Sequence, residues 1–131
     1  NEAGLQEGLP ASDELTQMTA LDKPVGEEFA RGGASWYGIQ FHKRRTASGE
    51  RFDMGALTAA HPTLPFGTLV CVRSMVNGRQ VLVRINDRGP FAKNRIIDLS
   101  RAAADVLGML GLGIKQVVLT LPTSKPAACA Q

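Results

Sequence analysis

The sequence predicts a mainly-β chain that closes into a small barrel. Three observations carry this expectation. The apolar runs are short and densely punctuated, with 14 Gly and 7 Pro among 131 residues, the pattern of strands joined by turns rather than of long helices. Asn77-Gly78, between two β-branched runs, is the strongest local hairpin signal in the chain. One segment of the core, rich in Ala after Ser100, reads as a helix.

Residues 1–28 are polar, broken by Pro10 and Pro24. They read as a leader or linker holding at most one short helix, with Ser12 as N-cap and Leu15, Met18 and Leu21 on one stripe. Residues 29–37 form the first strand, in which adjacent Trp36 and Tyr37 point to opposite faces, so that one can line a groove while the other packs. A polar loop follows over 38–53, then a short strand over 57–61, stopped by Pro62 and Pro65. Residues 68–74 and 80–85 are the hairpin arms, 86–90 is a polar loop with Gly and Pro, and 95–99 is a further strand. Ser100 caps a helix over 102–107 that Gly108 ends. Residues 114–121 are apolar and β-branched enough for a buried closing strand. About six strands and one helix imply a barrel, because closure removes exposed edges. The expected organisation is a leader over 1–28, a barrel domain over 29–122 and a C-terminal tail over 123–131.

At 44% hydrophobic and 21% charged residues, the chain suits one globular domain. No run approaches about 18 consecutive apolar residues, so no helix is expected to span a bilayer. The sequence opens at Asn1 without Met, so any targeting peptide is expected to be already absent. The net charge of +3 conceals a split. Residues 1–28 hold seven acidic groups against Lys23, a net −6, whereas 29–131 hold 14 Lys and Arg against Glu50, Asp53, Asp87, Asp98 and Asp105, a net +9. A basic body points to an anionic or polar polymer as partner. The run His42-Lys43-Arg44-Arg45 has Trp36, Tyr37 and Phe41 nearby but no nucleic-acid motif. It reads as a solvated or substrate-facing loop.

Of the core carboxylates, Asp105 reads as a solvated helix residue and Asp53 as a turn cap. Glu50, Asp87 and Asp98 fall where strands meet loops, the usual place for chemistry on a rigid barrel. Two readings stand for them: turn and cap residues, or paired carboxylates acting on a glycosidic bond. The second needs a neutral acid, whereas a Glu with an ordinary pKa of about 4.3 is ionised at neutral pH. Burial or a second carboxylate would have to raise it. His61 ends an apolar strand, either bonded to backbone in the core or positioning a carboxylate. His42 and His61 are the two histidines, and no H-x-x-x-H or C-x-x-C pattern occurs. A metal site wants about three or four ligands, so neither a metal nor another cofactor is expected. Ser48 lies in Ala-Ser-Gly-Glu, not in a nucleophile elbow. Cys71 reads as strand packing and Cys129 lies in the tail. In an exported chain the two could pair and stabilise it by about 4 kcal/mol; the sequence leaves that pairing open.

Seven segments then fall in a telling order: Gly33-Ala34-Ser35-Trp36-Tyr37-Gly38, Thr46-Ala47-Ser48-Gly49-Glu50-Arg51-Phe52-Asp53, Leu57-Thr58-Ala59-Ala60-His61, Leu64-Pro65-Phe66-Gly67-Thr68, Asn77-Gly78-Arg79, Asn86-Asp87-Arg88-Gly89-Pro90-Phe91 and Ile97-Asp98-Leu99-Ser100. Over residues 32–121 they resemble rare lipoprotein A, the septal-ring lytic transglycosylase family. The resemblance implies a six-stranded double-psi β-barrel, shared with expansins. It also implies cleavage of the β-1,4 bond between N-acetylmuramic acid and N-acetylglucosamine in peptidoglycan. Strands stripped of stem peptides would be preferred, and 1,6-anhydro-muramyl ends would form without water. Glu50 and Asp87 match the acidic residues needed for activity, and His61 matches a supporting histidine. Asp98 resembles the Asp of the expansin His-Phe-Asp motif but ranks second, because Ile96 and Ile97 replace its first two residues.

By the same resemblance, one of Glu50 and Asp87 would be held neutral by the other's charge and by burial. It would protonate the leaving oxygen while the muramyl 6-hydroxyl closes the ring; which of the two is the acid stays open. Tyr37, Thr46, Ser48 and Arg88 are the candidates for substrate contact. The expected partner is a peptidoglycan glycan strand, not nucleic acid, whose carboxylates Arg44, Arg45, Arg51 and Arg88 would attract. A monomer is expected in the bacterial envelope, the periplasm, with any outer-membrane anchoring running through a lipid outside this chain. The alternative is a non-catalytic peptidoglycan-binding or expansin-like wall-loosening module.

Overall fold

Alternation of side chains inward and outward along six short strands builds the fold. The computed structural model describes residues 26–111, 113–123 and 126–130; the leader helix expected after Ser12 lies outside them. The strands are β1 (Glu28–Tyr37), β2 (Thr58–Ala60), β3 (Leu69–Ser74), β4 (Gln80–Asp87), β5 (Ile97–Ser100) and β6 (Lys115–Thr120). They close into a mainly-β barrel in the order β1-β5-β2-β4-β3-β6, as the resemblance implies. Every second residue faces inward: Val70 and Val72 of β3, Val81, Val83 and Ile85 of β4, Ile97 and Leu99 of β5, Val117 and Leu119 of β6. Closure leaves none of the six strands with a free edge.

Among the described residues one α-helix, α1 (Arg101–Val106), seals the barrel with buried Ala103 and Ala104. Ser100 caps it as expected, accepting from the Ala103 N–H. The loop over 38–53 contains a single 3-10 turn, Ile39–Phe41, which the sequence reading did not foresee. The hairpin forms at the expected place, but its loop is longer than the Asn77-Gly78 pair. Ser74 N donates to Arg79 O and Gly78 N to Ser74 O, both at 2.9 Å, and Gly78 supplies the left-handed residue at φ +77°.

The largest departure is at the end of β4, where Asn86 and Asp87, expected in a loop, continue the strand. Parallel pairing with β2 carries it on. Ala59 pairs with Ile85 and Ala60 with Asp87 across a register irregularity, and His61 N donates to Asp87 O at 3.2 Å. The described part of the tail folds back: Thr123 bridges Ala128, Gln80 Nε2 donates to Ala130 O at 2.8 Å, and Cys129 is disulfide-bonded to Cys71 on β3.

Barrel closure leaves no space over Gly33 of β1. A Cβ built there would overlap the Asn94 carbonyl oxygen and sit 2.5 Å from Ile114 Cγ2. A backbone oxygen cannot swing aside as a flexible side chain can. Gly33→Ala is therefore expected to cost about 1–3 kcal/mol in urea denaturation, whereas Gly111→Ala, with nothing within 4 Å of the new methyl, should be nearly neutral.

Candidate active site

Strand register lays down the floor of a groove. Ser35 of β1 pairs with Asp98 of β5, Asp98 pairs with Ala60 of β2, and Ala60 pairs with Asp87 of β4. Residues in register share a face; the adjacent Ala34, Ile97 and Ala59 point into the core, and the register irregularity between Ala59 and Ala60 carries Asp87, two residues past inward-facing Ile85, onto the same outer row. The row Ser35-Asp98-Ala60-Asp87 thus faces outward, and all four residues line one cavity of about 530 Å³. Ala60, the smallest of the row, keeps the floor open between the two carboxylates. At about 4.8 Å per strand spacing, Asp87 and Asp98 stand roughly 10 Å apart at their backbones.

Asp87 Oδ1 accepts from the backbone N–H of Ala47 and of Arg88, each at 2.9 Å; Oδ2 has no protein partner among the described residues. Asp98 is bound more tightly. Its Oδ1 accepts from Ser35 Oγ and from Arg95 Nη1, both at 2.7 Å, and Arg95 Nη1 also donates to Ser35 Oγ at 2.6 Å. Ser100, not Asp98, caps the following helix.

Tyr37 rises beside this row, its ring stacked on Phe52 at 4.5 Å and meeting Phe41 edge-on at 5.6 Å. Its hydroxyl is buried without a hydrogen-bond partner among the described residues. Burial first, then the charges of Asp87 and Asp98, push its pKa well above the ordinary phenol value, so it stays a proton-bearing donor. Trp36 packs against the core yet also borders the groove, because the groove lies at the end of β1 and reaches both faces.

Glu50 does not line the cavity. Arg84 of β4 grips it through two bonds, Nη1 to Oε2 at 2.7 Å and Nη2 to Oε1 at 3.0 Å, and Asn86 Nδ2 adds a third at 3.1 Å. The Arg84 bonds, then Asn86, hold its pKa below the usual carboxylate range despite some desolvation. In this arrangement Glu50 is a fixed anion rather than an acid raised by Asp87. Thr46 and Ser48 spend their hydroxyls on the same loop. The two bond each other at 2.9 Å, Thr46 Oγ1 donates to Glu50 O at 3.0 Å, and of the pair Thr46 reaches the groove.

Arg88 lines the groove, but its Nη1 donates to His61 O and Leu64 O and its guanidinium lies 4.1 Å from the Phe66 ring centre. Arg44 and Arg45 also border the cavity, whereas Arg51 does not. With Arg95, four cations face two carboxylates in the lining. The sequence reading missed Ser35, Ala60, Arg84, Asn86 and Arg95. Period-two alternation from Tyr37 to Ser35 was the available signal for one of them.

His61 does not line the cavity. Its Nδ1 accepts from the backbone N–H of Thr63 and Leu64, both at 3.1 Å. Burial, then the Arg88 charge, lowers its pKa from 6.5 to about 4. The unfolded chain therefore takes up a proton below about pH 6.5 that the folded chain refuses until about 4, so stability falls as pH drops through that window. Because the ring is partly exposed, the loss is expected to be on the order of 1 kcal/mol. His61→Asn, whose Oδ1 can replace Nδ1 as acceptor, should flatten melting temperature against pH between 6.5 and 4.5.

Comparison with known proteins adds an independent line. The profile of the lytic transglycolase family matches residues 29–119. The chain is 51% identical over 114 residues to the probable endolytic peptidoglycan transglycosylase RlpA of Synechocystis sp., covering 86% of this chain and 36% of the relative. To the endolytic peptidoglycan transglycosylase RlpA of Neisseria meningitidis it is 55% identical over 93 residues, covering 71% and 39%. The corresponding protein of Campylobacter jejuni is 54% identical over 95 residues, covering 72% and 34%. The chain thus spans little more than a third of the length of these curated relatives. Among solved structures, the Streptomyces papain inhibitor superposes with a TM-score of 0.59 at 27% identity, over 76% of this chain and 97% of the inhibitor.

Proposed function

Because the chain belongs to the RlpA family of double-psi β-barrel lytic transglycosylases, we propose that its groove cleaves the glycan strands of peptidoglycan by transglycosylation, as an endolytic enzyme. The observation that carries this reading is Asp87. It stands on the groove floor with Oδ1 accepting from two backbone donors and, unlike Glu50 and Asp98, has no ion-pair partner among the described residues.

In the proposed reaction Asp87 Oδ2 takes the proton of the muramyl 6-hydroxyl as that oxygen bonds to C1, and hands the same proton to the oxygen leaving C1 as the C1–O bond to N-acetylglucosamine breaks. No water is consumed, and the products are a free 4-hydroxyl and a 1,6-anhydro end. Tyr37 lines the groove beside Asp87 and Asp98, where its ring is a wall for a sugar. Strands without stem peptides expose lactyl carboxylates, which the surplus of groove arginines would attract, so denuded strands are the proposed substrate. His61 supports the site through its turn and through His61 N, which holds the Asp87 carbonyl. An oxidising bacterial envelope, the periplasm, suits both this substrate and the Cys71–Cys129 disulfide.

The test is mass spectrometry of amidase-stripped glycan strands after incubation with the protein in ¹⁸O-water. Fragments with anhydro-muramyl ends and no incorporated ¹⁸O are expected. Reducing ends carrying ¹⁸O would replace the reading with hydrolysis, and binding without cleavage would leave a non-catalytic glycan-binding module.

A further inference from the structure

Arg84 lies outside the groove, yet its strand is tied at several points to the loop over 46–50. Arg84 grips Glu50 with two bonds, Asn86 O accepts from Ser48 N at 3.3 Å, and Asp87 Oδ1 accepts from Ala47 N. The loop is also closed on itself by Thr46 N to Glu50 O at 2.8 Å and Gly49 N to Thr46 O at 3.0 Å, so it moves as one piece. Whatever anchors Glu50 therefore sets where the Ala47 N–H points.

Asn86 fixes the charge state this anchor requires. It is 1% exposed, its Nδ2 faces Glu50 Oε1, and its Oδ1 has no partner among the described residues. Turning the amide over would set Oδ1 against the carboxylate, so this orientation goes with an ionised Glu50. A buried unpaired oxygen is a cost tolerated where a site demands it. The ion pair itself contributes little to stability, since its side chains are 43% and 37% exposed. Its effect is geometric.

We propose that Arg84 is a positioning residue for the transglycosylase reaction: through Glu50 it holds the 46–50 loop so that the Ala47 N–H orients Asp87, and Glu50 is the tie in this device rather than the proton donor. This rests on Asp87 as the acid of the groove. The guanidinium fork meets both carboxylate oxygens at once, which a Lys cannot do.

The test compares Arg84→Gln, Arg84→Lys, Glu50→Gln, the Glu50→Gln/Arg84→Gln double variant and, as reference, Asp87→Ala, which removes the acceptor of the Ala47 N–H, all in the full chain. In ¹H–¹⁵N spectra the Ala47 amide should move in Arg84→Gln and Glu50→Gln toward its position in Asp87→Ala. On denuded strands both single variants should lose about 10²-fold in kcat with KM within about twofold, the double variant should be no worse than either, and Arg84→Lys should fall between. A Glu50→Gln variant without activity beside an Arg84→Gln variant with near-normal kcat would overturn the proposal, making Glu50 the acid. If the wild-type protein yields no anhydro ends, the transglycosylase reading fails by itself. The amide spectra still judge the tie, and an Ala47 signal unmoved in Arg84→Gln overturns it.

Discussion

Asp87→Asn is expected to lower the rate of anhydro-muramyl release about 10²–10⁴-fold, with strand binding and melting temperature near wild type. The amide keeps the shape of the side chain, and its Oδ1 can still accept from Ala47 N and Arg88 N, which hold the wild-type oxygen at 2.9 Å. What it loses is the second carboxylate oxygen, the one that takes up and hands on the proton. Asp98→Asn is the comparison that gives the result meaning. Asp98 stands in the same floor row, but its Oδ1 is occupied by Ser35 and Arg95, so it acts as part of a fixed ion pair. Its loss should weaken turnover by about tenfold, through displacement of Arg95 and Ser35 rather than loss of the reacting proton. Rates measured on amidase-stripped strands would reverse the assignment if Asp87→Asn kept a tenth of wild-type activity while Asp98→Asn lost nearly all of it.

Much of this site was legible in the sequence, and the part that was not has a physical reason. Alternation and punctuation place all six strands and the capped helix, because those signals are local. The Asn77-Gly78 pair marks the hairpin even though the loop around it is longer, since Gly78 still supplies the left-handed residue. The end of β4 was misplaced because Asn86, Asp87 and the following Gly-Pro read as loop residues. Only the pairing of Ala60 with Asp87, set by barrel closure, extends the ladder past Ile85. The same register decides which acids meet. Glu50 and Asp87 look like a pair on sequence alone, but the row of in-register residues unites Asp87 with Asp98, and Arg84, 34 residues from Glu50 in the chain, takes Glu50 for itself. Long-range register of this kind leaves no mark in a window of a few residues.

Cys129→Ser should cost about 4 kcal/mol of unfolding free energy, a larger loss than either Gly33→Ala or the acid-side titration of His61 is expected to produce. The bond it removes spans a sequence separation of 58, and that stretch holds β4, β5, α1 and β6, so the cross-link restrains most of the barrel in the unfolded chain. Cys129 is the side to change, because Cys71 is fully buried between its partners Leu82 and Thr120, and a hydroxyl there would add a desolvation cost of its own. Urea titrations of the variant and of the wild-type protein with and without reductant should place the variant with the reduced protein; a variant within about 1 kcal/mol of the oxidised wild type would show that the tail does not hold the barrel. Turnover should respond differently. The groove floor is built on β1, β5, β2 and β4, whereas the disulfide tethers β3, so well below its melting temperature the variant is expected to keep wild-type kcat. A loss of kcat in the still-folded variant would mean that the tail sets the register of β4 through its antiparallel pairing with β3, and with it the position of Asp87.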